Sequence, residues 1–553
     1  MFTPLLPLAD LPPGAMKARD GVLVIHAAEG ELHSLDNACP HQGYPLVQGQ
    51  LCGKLLTCSW HNFKFDITNG ACVMGEEAVR THEVRVVDGM IEVQRSVGID
   101  VPAAWASLSQ AMARHQQSRI AREVARLLSA GVPAPEILAW GAVYDADRGE
   151  YGPGHGMALC ATLAGWLRPG EQALEHNVQL VAEGLDLCAR TVIGLPVRTR
   201  PGAESASPEE PASRAELRRR VEKEDAVGAE AIIRGMVASG GSREAWETTL
   251  YPLVTDHFLD FGHDLIYIGK LFDLWDAASP DAQTLDALLG TMIYGIANGT
   301  REDTLPPWAG FRKRCAGAAE RIRRSREFCG NPRGAVAAEL AEIIAHGSPG
   351  ACFDAVLTAL CDGHWGAVVD ALSHASSVRL VRFDPSHDSD PTLEEGWLDV
   401  THRLTTVNAV RRAVARWADP ECARLVLMAA HFVNLAKALD LAELPPGAAG
   451  DLARALRSGD AEGAAASVTC LGDVDVMRQF VLEGHAVRPV FYAHHVKTLV
   501  AAEEEATHLG DLTPLRGVAR FLACSLQERL TRRFAHQAVR LIRDGKPPRG
   551  LTG

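Results

Sequence analysis

The stretch from Cys39-Pro40-His41 to Cys58-Ser59-Trp60-His61, with sixteen residues between the two Cys/His pairs, decides the fold of the N-terminal part of this 553-residue chain. Each pair joins a thiol to an imidazole, side chains that ligate transition metals. The flanking sequence reads as strands and tight turns. Val22-Leu23-Val24-Ile25 and Leu32-His33-Ser34-Leu35 precede the first pair, Lys54-Leu55-Leu56-Thr57 enters the second, and Asn69-Gly70 and Asp88-Gly89 are hairpin turn signals. An all-β domain that ends near Gln94 and carries the two pairs in loops is the expectation. A structural zinc site would ordinarily show a CxxC knuckle, which is missing here.

The pairs at this spacing resemble the Rieske [2Fe–2S] family. The resemblance implies that Cys39 and Cys58 hold one iron and His41 and His61 the other, in a centre that transfers one electron. Imidazole in place of thiolate on one iron raises the reduction potential. Rieske proteins of respiratory complexes add a cysteine to each loop for a cross-linking disulfide. Here Tyr44 and residues without a thiol stand at those positions, so the resemblance is to the soluble ferredoxin or oxygenase type.

Such a domain takes up a minority of the chain. The reading divides the chain into a β domain over 1–98, a linker and connecting helix over 99–130, and a helical domain over 131–545. Beyond about residue 100 the apolar spacing changes from two to three or four, in sequence rich in Ala, Leu, Arg and Glu. A polar, mobile insertion is expected at about 197–224, where Pro201 to Pro211 give way to a charged helix near Ser213. The fold class is therefore multidomain, a small all-β domain followed by a large all-α domain with internal helical repeats.

Composition narrows the function classes. The formal charge is −14, with 69 acidic and 55 basic residues, and basic runs are confined to Arg218-Arg219-Arg220 and 321–326. That speaks against a nucleic-acid partner. Thirteen cysteines, an odd number without a framework, suggest reduced thiols and a cytoplasmic location. Neither a leader pattern at Met1-Phe2-Thr3-Pro4-Leu5 nor an apolar run of about eighteen residues is seen, so no membrane association is expected.

The helical part repeats itself. Leu259-Asp260-Phe261-Gly262-His263-Asp264-Leu265 matches Leu398-Asp399-Val400-Thr401-His402-Arg403-Leu404 at an offset of 402 − 263 = 139, and Leu305-Pro306-Pro307 matches Leu444-Pro445-Pro446 at the same offset. Gly228 to Ala231 corresponds within one residue to Gly366 to Val369, and a third helix opening is Gly463 to Ala466. Downstream of that third opening lies Phe491-Tyr492-Ala493-His494-His495-Val496-Lys497-Thr498-Leu499. Aligning His494 with His402 keeps an apolar residue two and five places on, whereas His495 does not. Gly154-His155-Gly156-Met157-Ala158-Leu159 reads as a degenerate fourth copy.

Histidines delivered by equivalent helices are how a helical body builds a metal site in its core. A single histidine on an apolar face is ordinarily a packing residue, but equivalence across repeats sets His263 and His402 apart. Lys497 lies three residues after His494, on the same helix face. Burial and a nearby cation would disfavour its charged form, leaving an amine able to react with carbon dioxide and become a carbamate ligand. The alternative is a lysine that snorkels to the surface.

The His-x-Leu helix openings, Ala493-His494-His495-Val496-Lys497-Thr498 and the start at His155 resemble the questin oxidase-like proteins, whose fungal members oxidise and cleave polyketide anthraquinones. The resemblance covers roughly 110–540 and is diffuse. It implies a mononuclear non-haem Fe(II) site that activates dioxygen, with His155, His263, His402 and His494 as ligands and Lys497, carboxylated, as a catalytic and ligating group. The fused β domain and the insertion near 200 depart from that family.

A ring-hydroxylating oxygenase is the other reading of a Rieske domain joined to a long second domain. Asp260-x-x-His263 supplies half of that family's iron motif, but Ile268 and Gly269 stand where the next histidine would fall. Starting at His257 leaves Val254 in place of the aspartate. Its long strand region is missing as well. His257, His431, His485 and His495 compete for ligand roles, and Glu503-Glu504-Glu505 reads as a solvated face or cap that could orient a ligand histidine. His364, His374 and His387 receive no role.

The sequence thus points to an oxidoreductase, an O2-dependent mono- or dioxygenase. An external ferredoxin reductase or NAD(P)H-dependent reductase loads the cluster, and the electron leaves by the His41 or His61 edge for an iron in the helical domain, where a small apolar, aromatic or polyketide substrate is oxygenated. Where the two centres of one chain lie too far apart, the electron would cross between subunits of a homo-oligomer. The alternative is an electron carrier or redox sensor fused to a helical binding module.

Overall fold

The computed structural model describes residues 1–75, 77–96, 98–324, 335–417, 419–484, 488–524 and 530–552. The chain forms two compact units, Met1–Val132 and Pro133–Gly553, a small β domain with two helices and a large helical region.

In the first unit ten strands follow one another: β1 (Thr3–Pro7), β2 (Met16–Arg19), β3 (Val22–His26), β4 (Leu32–Asp36), β5 (Gln50–Cys52), β6 (Leu55–Thr57), β7 (Lys64–Asp66), β8 (Cys72–Met74), β9 (Thr81–Val87) and β10 (Met90–Gln94). They form an antiparallel six-stranded sheet in the order β1-β10-β9-β4-β3-β2 and a four-stranded sheet β5-β6-β7-β8. The continuous apolar run of β3 has a simple cause. Its Leu23 and Ile25 enter a core with Leu35, Leu46, Leu56 and Phe65, while Val22 and Val24 enter another with Leu6, Leu11, Ile91 and Val93. Asp88 and Gly89, at φ 49° and 77°, make the β9–β10 hairpin turn, as their pairing in sequence predicts.

The 99–130 stretch holds two helices, α1 (Val101–Ala113) and α2 (Gln117–Ser129). The Asp100 carboxylate accepts from the Ala103 amide at 3.0 Å and caps α1. Arg122 and Arg126 of α2 reach buried Glu77 of the β domain at 2.5 and 3.3 Å.

In the second unit the helices that matter for the site are α3 (His155–Ala164), α4 (His263–Ala278), α5 (Trp397–Arg416) and α6 (Pro489–Leu509). Helices α4 and α5 run in the same direction and in register: His263 meets His402, and ten residues further on Asp273 meets Arg412. Helix α6 lies parallel to α5, since His494 meets Thr401 at one end while Glu504 pairs with Arg412 at the other. Ion pairs thus tie the far ends of three parallel helices whose near ends carry histidines. The matched heptapeptides differ locally, because 398–404 is helical throughout whereas α4 starts only at His263, after a left-handed turn at Asp260, Phe261 and Gly262. Gly262, at φ 84°, is required there: a Cβ would stand 2.3 Å from the Thr406 hydroxyl of α5.

The 197–224 stretch is coil followed by a helix over Pro211–Glu222. The Arg198 amide donates to the Asp147 carbonyl at 2.7 Å, the Glu204 amide to that of Ala231 at 2.9 Å, and Arg218 grips Asp256 at 2.7 Å. Among the described residues one helical stretch, Cys422–Leu439, has the length and mean hydropathy (1.4) of a membrane span, and 78% of it is buried inside the unit. The sequence alone does not mark it as one, because Arg424, His431, Asn434 and Lys437 interrupt the apolar run.

Candidate metal centres

In the first unit the two Cys/His pairs sit in two loops built alike, one between β4 and β5 and one between β6 and β7. The Cys39 amide donates to the Tyr44 carbonyl at 2.9 Å and the Gly43 amide returns to Cys39 at 2.7 Å; the Cys58 amide donates to Phe63 at 2.8 Å and the Asn62 amide returns to Cys58 at 3.1 Å. Gly43 and Asn62, each four residues after its cysteine, take φ 77° and 61°. Glycine and asparagine are the residues that tolerate this conformation. The loops turn the thiols inward and the rings outward: Cys39 and Cys58 are buried, His41 is half-buried and His61 exposed. The two rings stand edge to face at 4.5 Å, with Phe63 stacked on His41 at 4.6 Å and Trp60 stacked on Tyr44 at 4.0 Å.

Burial, with the Cys58 thiol beside it, pushes the Cys39 thiol up to about 11. Bound iron reverses that, because a coordinating thiol is deprotonated outright. Two adjacent buried thiols and two converging rings fit a [2Fe–2S] cluster set between core and surface. The described cysteines are all free thiols, so no disulfide braces the loops among the described residues.

In the second unit the fold brings His155, His263, His402 and His494 together, with one ring nitrogen from each within 4.8 Å of the others. The Nε2 atoms of His263 and His402 are 2.9 Å apart, and those of His155 and His494 3.1 Å. His155 and His263 are the first residues of α3 and α4, whereas His402 and His494 are each the sixth residue of α5 and α6. Four helices therefore converge, two by their first turn and two by their second.

The far sides of the rings decide what the near sides can do. The Thr401 hydroxyl donates to the Leu398 carbonyl at 2.8 Å, so its oxygen accepts from His494 Nδ1 at 3.2 Å. That places the His494 proton on Nδ1 and a lone pair on Nε2, facing the centre. The Asp260 backbone favours the protonated form of the His263 ring, and the Tyr267 hydroxyl lies 3.5 Å from His155 Nδ1. Lone pairs at 2.9 and 3.1 Å repel unless a cation or proton lies between them. A second proton on any ring is disfavoured: burial, reinforced by neighbouring cationic groups, pushes His155, His402 and His494 well below the usual histidine range and His263 down to about 3. The rings are therefore neutral, and each close pair holds either one Nε2–H donating to the facing ring or a metal ion between two lone pairs. The donor set fits a metal ion, and the fixing of outer nitrogens by hydrogen bonds is what metal-ligating histidines require.

Lys497 is buried, and its Nζ has no hydrogen-bond partner among the described residues. Burial, with Lys270 nearby, pushes it down to about 7, and its charge acts on all four rings. The snorkelling alternative is not what the fold adopts. Lys497 faces a small cavity between α4, α5 and α6 with Lys270, Thr405, Asn408 and Arg412.

The competing histidines go elsewhere. His257 is held by Asp303 and Glu222, at 3.1 and 3.2 Å; His431 hydrogen-bonds the Pro307 carbonyl at 3.2 Å beneath Trp308 and Phe311; His495 packs on Phe521; His485 lies outside the described residues. Glu503, Glu504 and Glu505 are not a solvated face. They pair with Arg478, Arg412 and Arg411, and Glu505 is fully buried. Sequence reasoning misses Thr401 and Asp145. Buried Asp145, in the apolar helix Ala134–Ala146, accepts from the Gly154 amide at 3.2 Å and from the Thr191 hydroxyl at 2.7 Å, which caps the helix that carries His155. The signal is a carboxylate near the end of an apolar helix whose other acidic residue, Glu136, stands in its first turn.

Residues 2–87 match the family described as Rieske [2Fe-2S] domain. Among curated relatives, 81 residues are 31% identical to the 4beta-methylsterol monooxygenase of Methylococcus capsulatus, covering 13% of this chain and 22% of that one. The ferredoxin component of the p-cumate 2,3-dioxygenase system of Pseudomonas putida is 39% identical over 74 residues, covering 13% of this chain and 63% of that one. The chain thus spans less than two thirds of either. Among solved structures, the ferredoxin of carbazole 1,9a-dioxygenase from Nocardioides aromaticivorans IC177 is 25% identical over 17% of this chain and 99% of its own, with a TM-score of 0.17. Residues 2–87 form a Rieske [2Fe-2S] domain, which supports an electron-transfer role.

Proposed function

We propose that this chain is a two-centre oxygenase in which the Rieske unit supplies electrons and the four-histidine centre of the helical unit holds a mononuclear non-haem iron that oxygenates an apolar, aromatic or polyketide substrate. The observation that carries the reading is the four converging histidine nitrogens, with the outer nitrogen of His494 tied to Thr401. The relatives support the electron source, since one belongs to a dioxygenase system as its ferredoxin component.

When bound, the cluster would supply single electrons and the iron would supply dioxygen activation. The chain's own part is positioning. His41 and His61 offer the solvent-facing edge by which an external reductase and the electron acceptor communicate with buried Cys39 and Cys58. Thr401 and Tyr267 hold ring orientation, while the burial of His402 and His494 keeps water from their side of the centre. Lys497, its amine largely free only above about pH 7, would add carbon dioxide, release a proton to solvent and provide an anionic oxygen beside the imidazoles. Four neutral imidazoles bring no negative charge to a divalent ion, and a carbamate supplies it.

Metal analysis of the purified chain tests the reading. About three irons per chain are expected, two in the cluster and one more. His263→Ala and His402→Ala should each lose the third iron and keep the visible spectrum of the cluster. A chain that holds only the two cluster irons, or a third iron indifferent to both substitutions, would make the helical unit a binding module instead.

A further inference from the structure

Helix α7 (Leu530–Asp544) is amphipathic, and it turns its polar side to the protein and its apolar side to water. At 3.6 residues per turn, Phe534, Ala535, Ala538, Val539, Leu541 and Ile542 fall on one half of its circumference, and Arg532, Arg533, His536, Gln537, Arg540 and Arg543 on the other. Arg533, Gln537 and Arg540 are half-buried, at the spacing of one helix face, whereas Phe534, Val539, Leu541 and Ile542 stand 57, 57, 59 and 85% exposed. A surface helix of a globular protein ordinarily buries its apolar stripe. Here that stripe is left largely uncovered.

The orientation is pinned at both ends of the helix. The Arg533 guanidinium donates to the Glu394 carbonyl at 2.9 Å. Past the end of α7, the Glu394 amide donates to the Arg549 carbonyl at 3.1 Å, and the Leu551 and Thr552 amides donate to buried Glu395 at 2.7 and 2.9 Å. These partners lie in the segment that runs into α5 at Trp397, five residues before His402, so α7 is fastened beside the end of α5 that carries the histidine. Charge sets the helix apart as well. Residues 530–553 hold six basic residues, Arg532, Arg533, Arg540, Arg543, Lys546 and Arg549, against the single acid Asp544, in a chain of formal charge −14. Antiparallel pairing with a second copy would set Arg532 and Arg543, which share one edge of the apolar face, against the same two residues of the other helix, and like charges so placed are costly. An anionic surface meets that edge favourably.

We infer that α7 docks the chain on an anionic lipid surface, with Phe534, Leu541 and Ile542 entering the boundary between headgroups and acyl chains and Arg532 and Arg543 meeting the anionic headgroups. A basic polar face, an exposed apolar face and low net hydrophobicity define a helix that lies in the plane of a bilayer. Such a helix needs no apolar run long enough to span, so the composition that speaks against a membrane span does not bear on it. The inference goes beyond the oxygenase reading and stands without it; where both hold, the bilayer is the source from which an apolar substrate reaches the centre.

The test is sedimentation of the full chain with vesicles of phosphatidylcholine alone or of an equal mixture with phosphatidylglycerol. The wild type should bind the mixed vesicles, and bind them less in high salt. Arg532→Gln combined with Arg543→Gln should weaken that binding about 30-fold, and Leu541→Glu combined with Ile542→Glu by about tenfold or more. All four side chains are exposed, so the melting temperature should stay as in the wild type. A wild type that ignores the mixed vesicles, or Leu541→Glu/Ile542→Glu protein that binds them equally well, overturns the inference. A wild type that is dimeric in the ultracentrifuge, becomes monomeric on Leu541→Glu/Ile542→Glu substitution and leaves the vesicles untouched assigns the face to a second copy and overturns it too. Iron counted on the same samples keeps the two readings apart: vesicle binding without a third iron sinks only the oxygenase reading, and a third iron without vesicle binding sinks only the role of α7.

Discussion

Asp273 and Arg412 form an ion pair at 2.6 Å across 139 residues of sequence, the same separation that divides His263 from His402. One offset recurs because α4 and α5 pack in parallel and in register, so the distal pair fixes the slide that the histidine pair needs. Arg412 also takes Glu504 of α6, which extends the same tie to the helix of His494 and Lys497.

Replacing Arg412 with Met should therefore do more than lower stability. It leaves Asp273 and Glu504 close together without their common cation, and removal of one partner from a largely buried pair is costly. With 21% of the Arg412 side chain exposed, solvent softens the loss to about 2 kcal/mol. The helical unit's melting temperature should fall and its iron content with it, while the Rieske spectrum is unchanged. Wild-type iron content in a destabilised variant would show that the distal tie does not set the register of the rings.

Thr401→Val removes the oxygen that accepts from His494 Nδ1 and keeps the shape of the side chain. The His494 ring then loses the contact that fixes its tautomer, and metal affinity should drop about 10- to 100-fold. Thr401→Ser should restore most of it. Competition with a chelator reads the affinity directly, and equal affinity in the Val variant would remove Thr401 from the account.

Much of this geometry is legible in sequence where it is local. The two Cys/His loops declare themselves because all four side chains lie within two short turns, with Gly43 and Asn62 at the positions that need left-handed backbone. The 139-residue offset finds His263 and His402 because parallel packing of α4 and α5 copies a spacing in sequence into a spacing in space. Thr401 is not legible, since it acts on a residue of another helix and nothing in its own neighbourhood marks it, and Asp145 leaves only the weak sign of a carboxylate in an apolar helix. Glu503 to Glu505 show the converse limit. An acidic triplet reads the same whether water or arginines of neighbouring helices face it, and only the packing puts Glu505 against Arg411 and Asn408.

Asp264 follows His263, is buried, and has one carboxyl oxygen with no hydrogen-bond partner among the described residues. Burial first, then Asp260, pushes it up to about 8. A carboxyl raised in the fold binds its proton more tightly there than in the unfolded chain, so its contribution to stability is present at low pH and is lost as pH rises through that value. Chelator-treated wild type should lose ground to Asp264→Asn between about pH 4 and pH 8, by no more than about 1.4 kcal/mol per pH unit. Parallel melting curves of the two proteins across that range give the difference, and a gap independent of pH would mean that Asp264 stays ionised.

Lys497, lowered to about 7 by burial and by Lys270, differs from an ordinary lysine in the pH at which its amine is free. Only the neutral amine attacks carbon dioxide. At pH 8 the buried amine is mostly neutral, whereas at pH 6 it is mostly protonated, so carbamate formation should appear between those values instead of near the ordinary lysine pKa of about 10.4. Zinc-loaded protein in 13C-bicarbonate should show a carbamate carbonyl resonance at pH 8 that fades at pH 6 and is missing in Lys497→Met. Iron retention should follow the same course, rising with bicarbonate at pH 8 in the wild type and failing to respond in the variant. A short carboxylic acid such as propionate should partly restore iron to Lys497→Ala, because it places an anionic oxygen where the truncated side chain leaves room. Iron held equally by wild type and Lys497→Met at pH 8, with no carbamate resonance, would leave the four imidazoles as the whole ligand set.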